Sequence, residues 1–211
     1  MNNFDIYLFD LDGTLTDPAE GITNSVAYAL NKFGITVESR EELYKFIGPP
    51  LVNSFMEYYG FDKEKAFLAV ETYREYFRDK GIFENKLYDD IPLVLEKLQQ
   101  DGKIIVLATS KPEEFAIKIL KHFGLFEYFD LICGATMDEK RSEKSDIIKY
   151  ALKKLNAPIE KCVMIGDRCY DILGAKENGI ASIGVTYGYG SLEELKNSGA
   201  DYIIDKPIEL I

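Results

Sequence analysis

The chain has 211 residues, 46% of them hydrophobic and 29% charged, which suits one large domain or two small ones with a buried core. Its net charge of −11 disfavours nucleic acid polymers and anionic lipid as partners. No apolar run is long enough for a membrane span, the start does not resemble a secretory signal, and the three cysteines lack C-x-x-C spacing, so we expect a cytoplasmic protein with reduced thiols.

The first predicted strand, residues 5–10, runs into the sequence Asp10-Leu11-Asp12-Gly13-Thr14. Alternate residues of a strand face the same side, so both carboxylates can face one point. Such a pair repels unless a cation or a proton accompanies it, and Mg²⁺ suits oxygen ligands. One carboxylate could then attack phosphorus while the other moves a proton. The alternative is an ordinary polar turn, in which Asp and Gly are common.

Residues 16–85 have helical patterning throughout. Asp17-Pro18-Ala19-Glu20 resembles a capping box with proline at the first helical position. About seventy residues are too many for an ordinary connection, so we predict a helical cap domain over 16–85 and a core of residues 1–15 and 86–211. Gly48 and Pro49 lie in a cap loop that we expect to contact substrate, unless it only connects two helices rigidly.

The rest of the chain alternates between strands and helices, several of the strands being continuously apolar. This order predicts an α/β fold, a doubly wound parallel sheet with right-handed crossovers. The predicted strands are 103–109, 129–133, 161–166, 180–186 and 201–205, and the predicted helices are 112–123, 144–155, 170–178 and 191–198.

Polar groups follow these strands, at the sheet edge where open α/β folds bind ligands. Thr109 and Ser110 precede a helix and could hold phosphate oxygens, although such residues are also ordinary caps. Asp167 and Asp171 are four residues apart and could serve a cation, or could simply stabilise the helix start. Lys144 begins a helix, where a lysine is electrostatically unfavourable, so an anionic partner would explain it.

Together these motifs resemble the haloacid dehalogenase superfamily of phosphohydrolases over essentially the whole chain. Asp10–Thr14 matches the first motif of the family, Thr109 the second, Lys144 the third, and Asp167 with Asp171 the fourth. A helical cap after the first motif also fits. The resemblance implies a Rossmann-like core with an inserted α-helical cap.

The resemblance also implies catalytic roles. Asp10 would be the nucleophile that becomes an aspartyl phosphate, and Asp12 would protonate the leaving oxygen and then activate water. Thr109 and Lys144 would bind the phosphoryl group, with Ser110 beside them. Many relatives carry a different sequence around the third motif, so Arg141 is a rival for the role of Lys144.

The cofactor implied by the resemblance is Mg²⁺. Its ligands would be the carboxylate of Asp10, the backbone carbonyl of Asp12 and Asp167. Asp171 would support the ion, and whether it touches the metal directly stays open.

The segments 46–51 and 187–191 look most like the branch of bacterial 5′-nucleotidases, which lies close to the phosphoglycolate phosphatases. We therefore predict a Mg²⁺-dependent phosphate-monoester hydrolase for a small phosphorylated metabolite, a nucleoside 5′-monophosphate first and phosphoglycolate or another small ester as the alternative. Asp12 argues against a dehalogenase, and no cap lysine is marked for phosphonate cleavage. A sugar-phosphate mutase and a signalling switch phosphorylated on aspartate stay open, and the sequence does not indicate the oligomeric state.

Overall fold

A computed structural model describes residues 4–138 and 140–211. The chain divides into two compact units. The sheet unit contains the residues up to Asp17 and those from Leu87 onward, and the helical unit contains Pro18–Lys86. Two short strands, β2 (Thr16–Asp17) and β3 (Lys86–Leu87), lie where the chain passes from one unit to the other.

The sheet unit is built on six parallel strands in the order β5-β4-β1-β6-β7-β8. The central strand β1 is fully buried and lies between β4 and β6, as its continuously apolar sequence predicts. Phe9 at its end pairs with Leu107 on one side and Ile165 on the other, and both neighbouring strands continue beyond this level, β6 to Gly166 and β4 to Pro112. The six strands are β1 (Ile6–Phe9), β4 (Ile104–Pro112), β5 (Leu131–Ala135), β6 (Cys162–Gly166), β7 (Ala181–Val185) and β8 (Tyr202–Ile204).

The predicted α/β class with a Rossmann-like parallel sheet is confirmed. One helix of the sheet unit, Ile91–Gln100, is absent from the prediction, although Ile91, Val94, Leu95 and Leu98 bury one helical face. It follows Asp90, whose φ of 64° places the backbone in the left-handed region and breaks the local pattern. The helices of this unit are α4 (Ile91–Gln100), α5 (Glu113–His122), α6 (Lys144–Leu155), α7 (Cys169–Glu177) and α8 (Leu192–Ser198).

The helical unit has its own aromatic core. Phe46 packs edge-on against Phe55 with ring centroids 5.0 Å apart, and Phe55 stacks on Phe61 at 5.9 Å. All three side chains are buried, so they stabilise the unit internally. The unit contains helices α1 (Ala19–Lys32), α2 (Leu51–Tyr59) and α3 (Lys63–Tyr76), a 3₁₀ helix (Glu41–Phe46) and a π-helical turn (Phe77–Gly81).

The predicted capping box at the start of α1 is wrong. The helix begins at Ala19, which puts Pro18 at the capping position, where it has no side-chain acceptor to offer. Asp17 belongs to β2 instead, and its carboxylate accepts a hydrogen bond from the Tyr189 hydroxyl.

The cysteines and the hydropathy of the helices add two observations. Cys133, Cys162 and Cys169 are all described, and none forms a disulfide. Within residues 4–138 and 140–211, no helix has the length and apolarity that a membrane crossing requires.

Candidate active site

Two acids stand just beyond β1. The backbone N–H of Asp10 donates to Ile165 O at 2.9 Å, which extends the strand pairing by one residue and fixes the position of Asp10. The chain then turns through Gly13, whose φ of 83° is in the left-handed region that favours glycine. Asp10 and Asp12 are both buried, as carboxylates that serve a reaction centre rather than a solvated turn would be.

Two further acids reach the same place from the end of β6. Asp167 is buried, and its Oδ2 accepts the backbone N–H of Tyr189 at 2.8 Å. Asp171 lies in the first turn of α7, where its Oδ2 accepts the backbone N–H of Arg168 at 3.1 Å. Carboxylate oxygens of Asp10, Asp167 and Asp171 all lie within 4.8 Å of one another. The parallel sheet therefore brings Asp10 together with Asp167 and Asp171, which lie far along the chain.

Lys144, the first residue of α6, lies among these acids. Its Nζ is 2.8 Å from Asp10 Oδ1 and 2.8 Å from Asp171 Oδ1, and it donates to Ala108 O at 3.0 Å. Burial disfavours the charged amine, but the two carboxylates outweigh burial and raise the pKa of Lys144 to about 12. These anionic contacts explain why a lysine begins this helix.

Arg141 is held elsewhere. Its Nε and Nη2 donate to Gly134 O at 3.1 and 3.0 Å, and its guanidinium lies 4.0 Å from the centre of the Tyr150 ring. Of the two rival cations, the structure therefore brings Lys144 rather than Arg141 to the carboxylates.

Burial perturbs the protonation of the acids. It raises the pKa of Asp167 well above its ordinary value, and the charges of Asp171 and Asp10 raise it further. Burial also raises the pKa of Asp171 to about 6, although Lys144 opposes the shift. The pKa of Asp12 is raised by burial and held down in part by Lys111. The cluster thus has more negative charge than its lysines balance, a state that favours bound protons or a cation.

This donor set fits a hard divalent cation. Asp10, Asp167 and Asp171 offer closely spaced carboxylate oxygens, the ligand type that such ions prefer. The Asp12 side chain is not part of this group, because its Oδ2 pairs with Lys111 Nζ at 2.5 Å. Its backbone carbonyl as a metal ligand stays a prediction.

Lys111 is a residue of this site to which the sequence analysis gave no role. It is buried near the end of β4, two residues after Thr109. Residues two apart on a regular strand face the same side, but the register of β4 shifts between Ala108 and Pro112, so the spacing from Thr109 gave no signal for it.

The other predicted residues fall into two groups. Thr109 is buried at the end of β4, and its Oγ1 accepts the backbone N–H of Lys111 at 3.3 Å, while Ser110 is half-buried beside it. Gly48 and Pro49 are half-buried in the helical unit, in the loop before α2. Their contact with a substrate stays a prediction.

The loop after β7 closes tightly around Asp167. A Cβ at Gly188 would lie 2.3 Å from Gly13 O and 2.4 Å from Asp167 Cβ, and one at Gly190 would lie 1.9 Å from Asp167 O. The Tyr187 hydroxyl also donates to Thr14 O at 3.0 Å. The glycines therefore permit the close approach that holds the acid in place.

Comparisons with known proteins agree with this fold. The family model described as haloacid dehalogenase-like hydrolase matches residues 7–185. A 5′-nucleotidase of Pseudomonas aeruginosa is 49% identical over 189 residues, 90% of this chain and 86% of that protein. A phosphoglycolate phosphatase of Colwellia psychrerythraea is 31% identical over 98% of this chain and 95% of that protein. The crystal structure of a predicted phosphatase from Clostridium acetobutylicum superimposes with a TM-score of 0.96 at 56% identity, covering 98% of this chain and 96% of that one.

Proposed function

This chain belongs to the haloacid dehalogenase-like hydrolase family and is a phosphatase of that family, and from this premise we propose that it hydrolyses nucleoside 5′-monophosphates through an aspartyl phosphate with the aid of Mg²⁺. The observation that carries the proposal is the arrangement around Asp10. One buried lysine and two further buried acids surround this carboxylate, and a fourth acid, Asp12, lies two residues along the chain.

The proposed reaction has two steps. In the first, an Asp10 carboxylate oxygen attacks phosphorus, the bond from phosphorus to the ester oxygen breaks, and Asp12 gives its proton to that oxygen. In the second, Asp12 takes a proton from water, whose oxygen attacks phosphorus and releases phosphate and free Asp10. Lys144 and Thr109 would neutralise and orient the phosphoryl oxygens, with Ser110 beside them.

The proposed metal ligands are Asp10 and Asp167, together with the backbone carbonyl of Asp12 and with Asp171 in support. The ion would supply positive charge that balances the carboxylates and the phosphoryl group. Three buried carboxylates within 4.8 Å of one another support this assignment. Asp167 is held by Tyr189, which would keep it oriented toward the ion.

The substrate is proposed from the likeness to the nucleotidase, which extends over 86% of that protein. The alternative is phosphoglycolate or another small ester, which the likeness to a phosphoglycolate phosphatase favours. A signalling switch that stores phosphate on Asp10 is less well supported, because in the proposed mechanism the buried Asp12 would hydrolyse such an intermediate.

The test is phosphate release from nucleoside monophosphates, phosphoglycolate and sugar phosphates, with Mg²⁺ and with EDTA. We expect release that requires Mg²⁺ and is fastest with nucleotides, while preference for phosphoglycolate would favour the alternative. Asp10→Asn should abolish release. Asp5→Asn is the matched control, since Asp5 precedes the same strand at its opposite end and is exposed. Equal activity of the two variants would refute the assigned nucleophile.

A further inference from the structure

The two buried lysines of the site divide the carboxylates between them. Lys144 pairs with Asp10 and Asp171, whereas Lys111 pairs with Asp12. We propose that Lys111 is a positioning residue that fixes Asp12 by one oxygen, Oδ2, and thereby presents the other, Oδ1, for proton transfer. This inference rests on the proposed function, in which Asp12 exchanges a proton with the leaving group and with water.

The geometry distinguishes the two oxygens of Asp12. Oδ2 lies 2.5 Å from Lys111 Nζ, and both side chains are almost fully enclosed, with exposed fractions of 12% and 6%. Oδ1 is also buried, yet within the described part of the chain no group donates a hydrogen bond to it. A buried acceptor without a donor is costly in a purely structural arrangement. An oxygen that carries or receives the transferred proton, by contrast, has to be left without such a donor.

The backbone that carries Lys111 is well fixed. Lys111 lies in the last part of β4, where the register with β5 shifts, and the strand is paired on both sides of this irregularity, at Ala108 with Cys133 and at Pro112 with Ala135. The backbone N–H of Lys111 also donates to Thr109 Oγ1 at 3.3 Å. A side chain on a strand inside the sheet holds its partner more rigidly than one on a loop.

The ion pair assigns each proton transfer to one oxygen. The oxygen beside the ammonium accepts from Lys111 and stays unprotonated, so the proton is carried on Oδ1. In the first step the bond from Oδ1 to hydrogen breaks as the leaving oxygen gains that hydrogen. In the second step Oδ1 takes a proton from the attacking water. Without Lys111 the carboxylate could rotate, and even a displacement of about 1 Å can cost about 10²-fold in rate.

The first test compares two esters in the metal-loaded protein. The rate constant kcat/KM reports expulsion of the leaving group, which needs a proton for an alkyl phosphate but hardly at all for p-nitrophenyl phosphate. We expect Lys111→Met to lower kcat/KM about 10²-fold for the alkyl ester and less than about 5-fold for p-nitrophenyl phosphate. Lys111→Arg, which keeps the positive charge, should recover most of the loss. Equal losses for both esters would overturn the proposal.

The second test places Lys111→Met in an Asp12→Asn background. If Lys111 acts through Asp12, the double variant and Asp12→Asn show the same ratio of kcat/KM between the alkyl ester and p-nitrophenyl phosphate. The KM of the double variant then stays within about 3-fold of that of Asp12→Asn. A further loss that multiplies the first would mean direct contact with substrate and would refute the positioning role. The double variant removes both charges of the pair, so it stays informative if Lys111→Met alone fails to fold.

These outcomes separate the positioning role from the proposed function. The proposed function fails if the unaltered protein releases no phosphate with Mg²⁺, or if Asp10→Asn is active. The role of Lys111 fails if the unaltered protein is active and Lys111→Met slows both esters alike.

Discussion

The replacement of Lys144 by methionine tests the electrostatic balance of the site most directly. The side chain of Lys144 is almost completely buried, and its Nζ lies 2.8 Å from both Asp10 and Asp171. Methionine has a similar length but no charge, so the substitution removes the ammonium group and keeps most of the packing. It leaves two buried carboxylates without their cation.

The structure gives the size of the effect. The pKa of Lys144 is raised from 10.5 to about 12 by Asp10 and Asp171 against the opposing effect of burial. At about 1.36 kcal/mol per pKa unit, the protein favours the charged amine by ~2 kcal/mol. Removing one partner of a buried ion pair costs about 3–5 kcal/mol, because the other partner stays buried and uncompensated. We expect a loss of about 2–5 kcal/mol in the metal-free protein, or a fall in Tm of about 4–20 °C.

The loss should depend on pH in a defined direction. Asp171 already has a pKa of about 6 beside Lys144, and removal of the lysine raises it further. At pH 5 the variant can protonate this acid and relieve the repulsion, whereas at pH 8 protonation is harder. The difference in Tm between the variant and the unaltered protein should therefore grow from pH 5 to pH 8.

The assay is thermal unfolding in EDTA, followed by circular dichroism at both pH values. Lys140→Met is the matched control, because Lys140 pairs with Asp138 at 2.8 Å but is 84% exposed. It should leave Tm unchanged, since exposed ion pairs are screened by water. The reasoning is refuted if Lys144→Met lowers Tm no more than this control, or if the loss shrinks as the pH rises.

Three further outcomes are expected. Asp10→Asn should lower kcat more than about 10³-fold while circular dichroism shows an intact fold. A change in KM with kcat unaltered would contradict the assignment of Asp10 as nucleophile. Gly188→Ala should lower Tm and weaken Mg²⁺ binding in a calorimetric titration, because its Cβ would lie 2.3 Å from Gly13 O; unchanged binding would exclude this loop from positioning Asp167. The rise in Tm on adding Mg²⁺ should be larger at pH 8 than at pH 5.5, and a pH-independent rise would mean that the ion displaces no protons.

The parallel sheet was predictable because its strands are short, continuously apolar and separated by helical patterns. The predicted strand over 161–166 is observed at Cys162–Gly166, and the predicted helix over 144–155 is observed with those bounds. Once the strands are parallel, their carboxyl ends share one edge, so Asp10, Thr109 and Asp167 converge without any knowledge of side-chain contacts.

The remaining features depend on contacts that spacing alone does not encode. Asp17 has the sequence context of a helix cap, but its carboxylate accepts a hydrogen bond from the hydroxyl of Tyr189, which lies far along the chain. Lysine is usually a surface residue, but Lys111 is buried here with its Nζ paired to Asp12, which lies beyond the end of the neighbouring strand β1. Gly188 has the sequence context of an ordinary loop glycine. Only the packing of Asp167 beside it shows that a side chain at this position would clash.

The charge balance of the whole site links these observations. The site has four negative charges when its acids, Asp10, Asp12, Asp167 and Asp171, are ionised. Its two buried lysines, Lys111 and Lys144, supply two positive charges. Burial, together with the charges of the neighbouring carboxylates, raises the pKa of Asp171 to about 6 and that of Asp167 well above its ordinary value. The metal-free folded protein holds protons that the unfolded chain has lost, so its stability falls as the pH rises from about 4 through about 6. A divalent cation cancels the excess of negative charge, and because it competes with those protons, its stabilising effect must increase with pH.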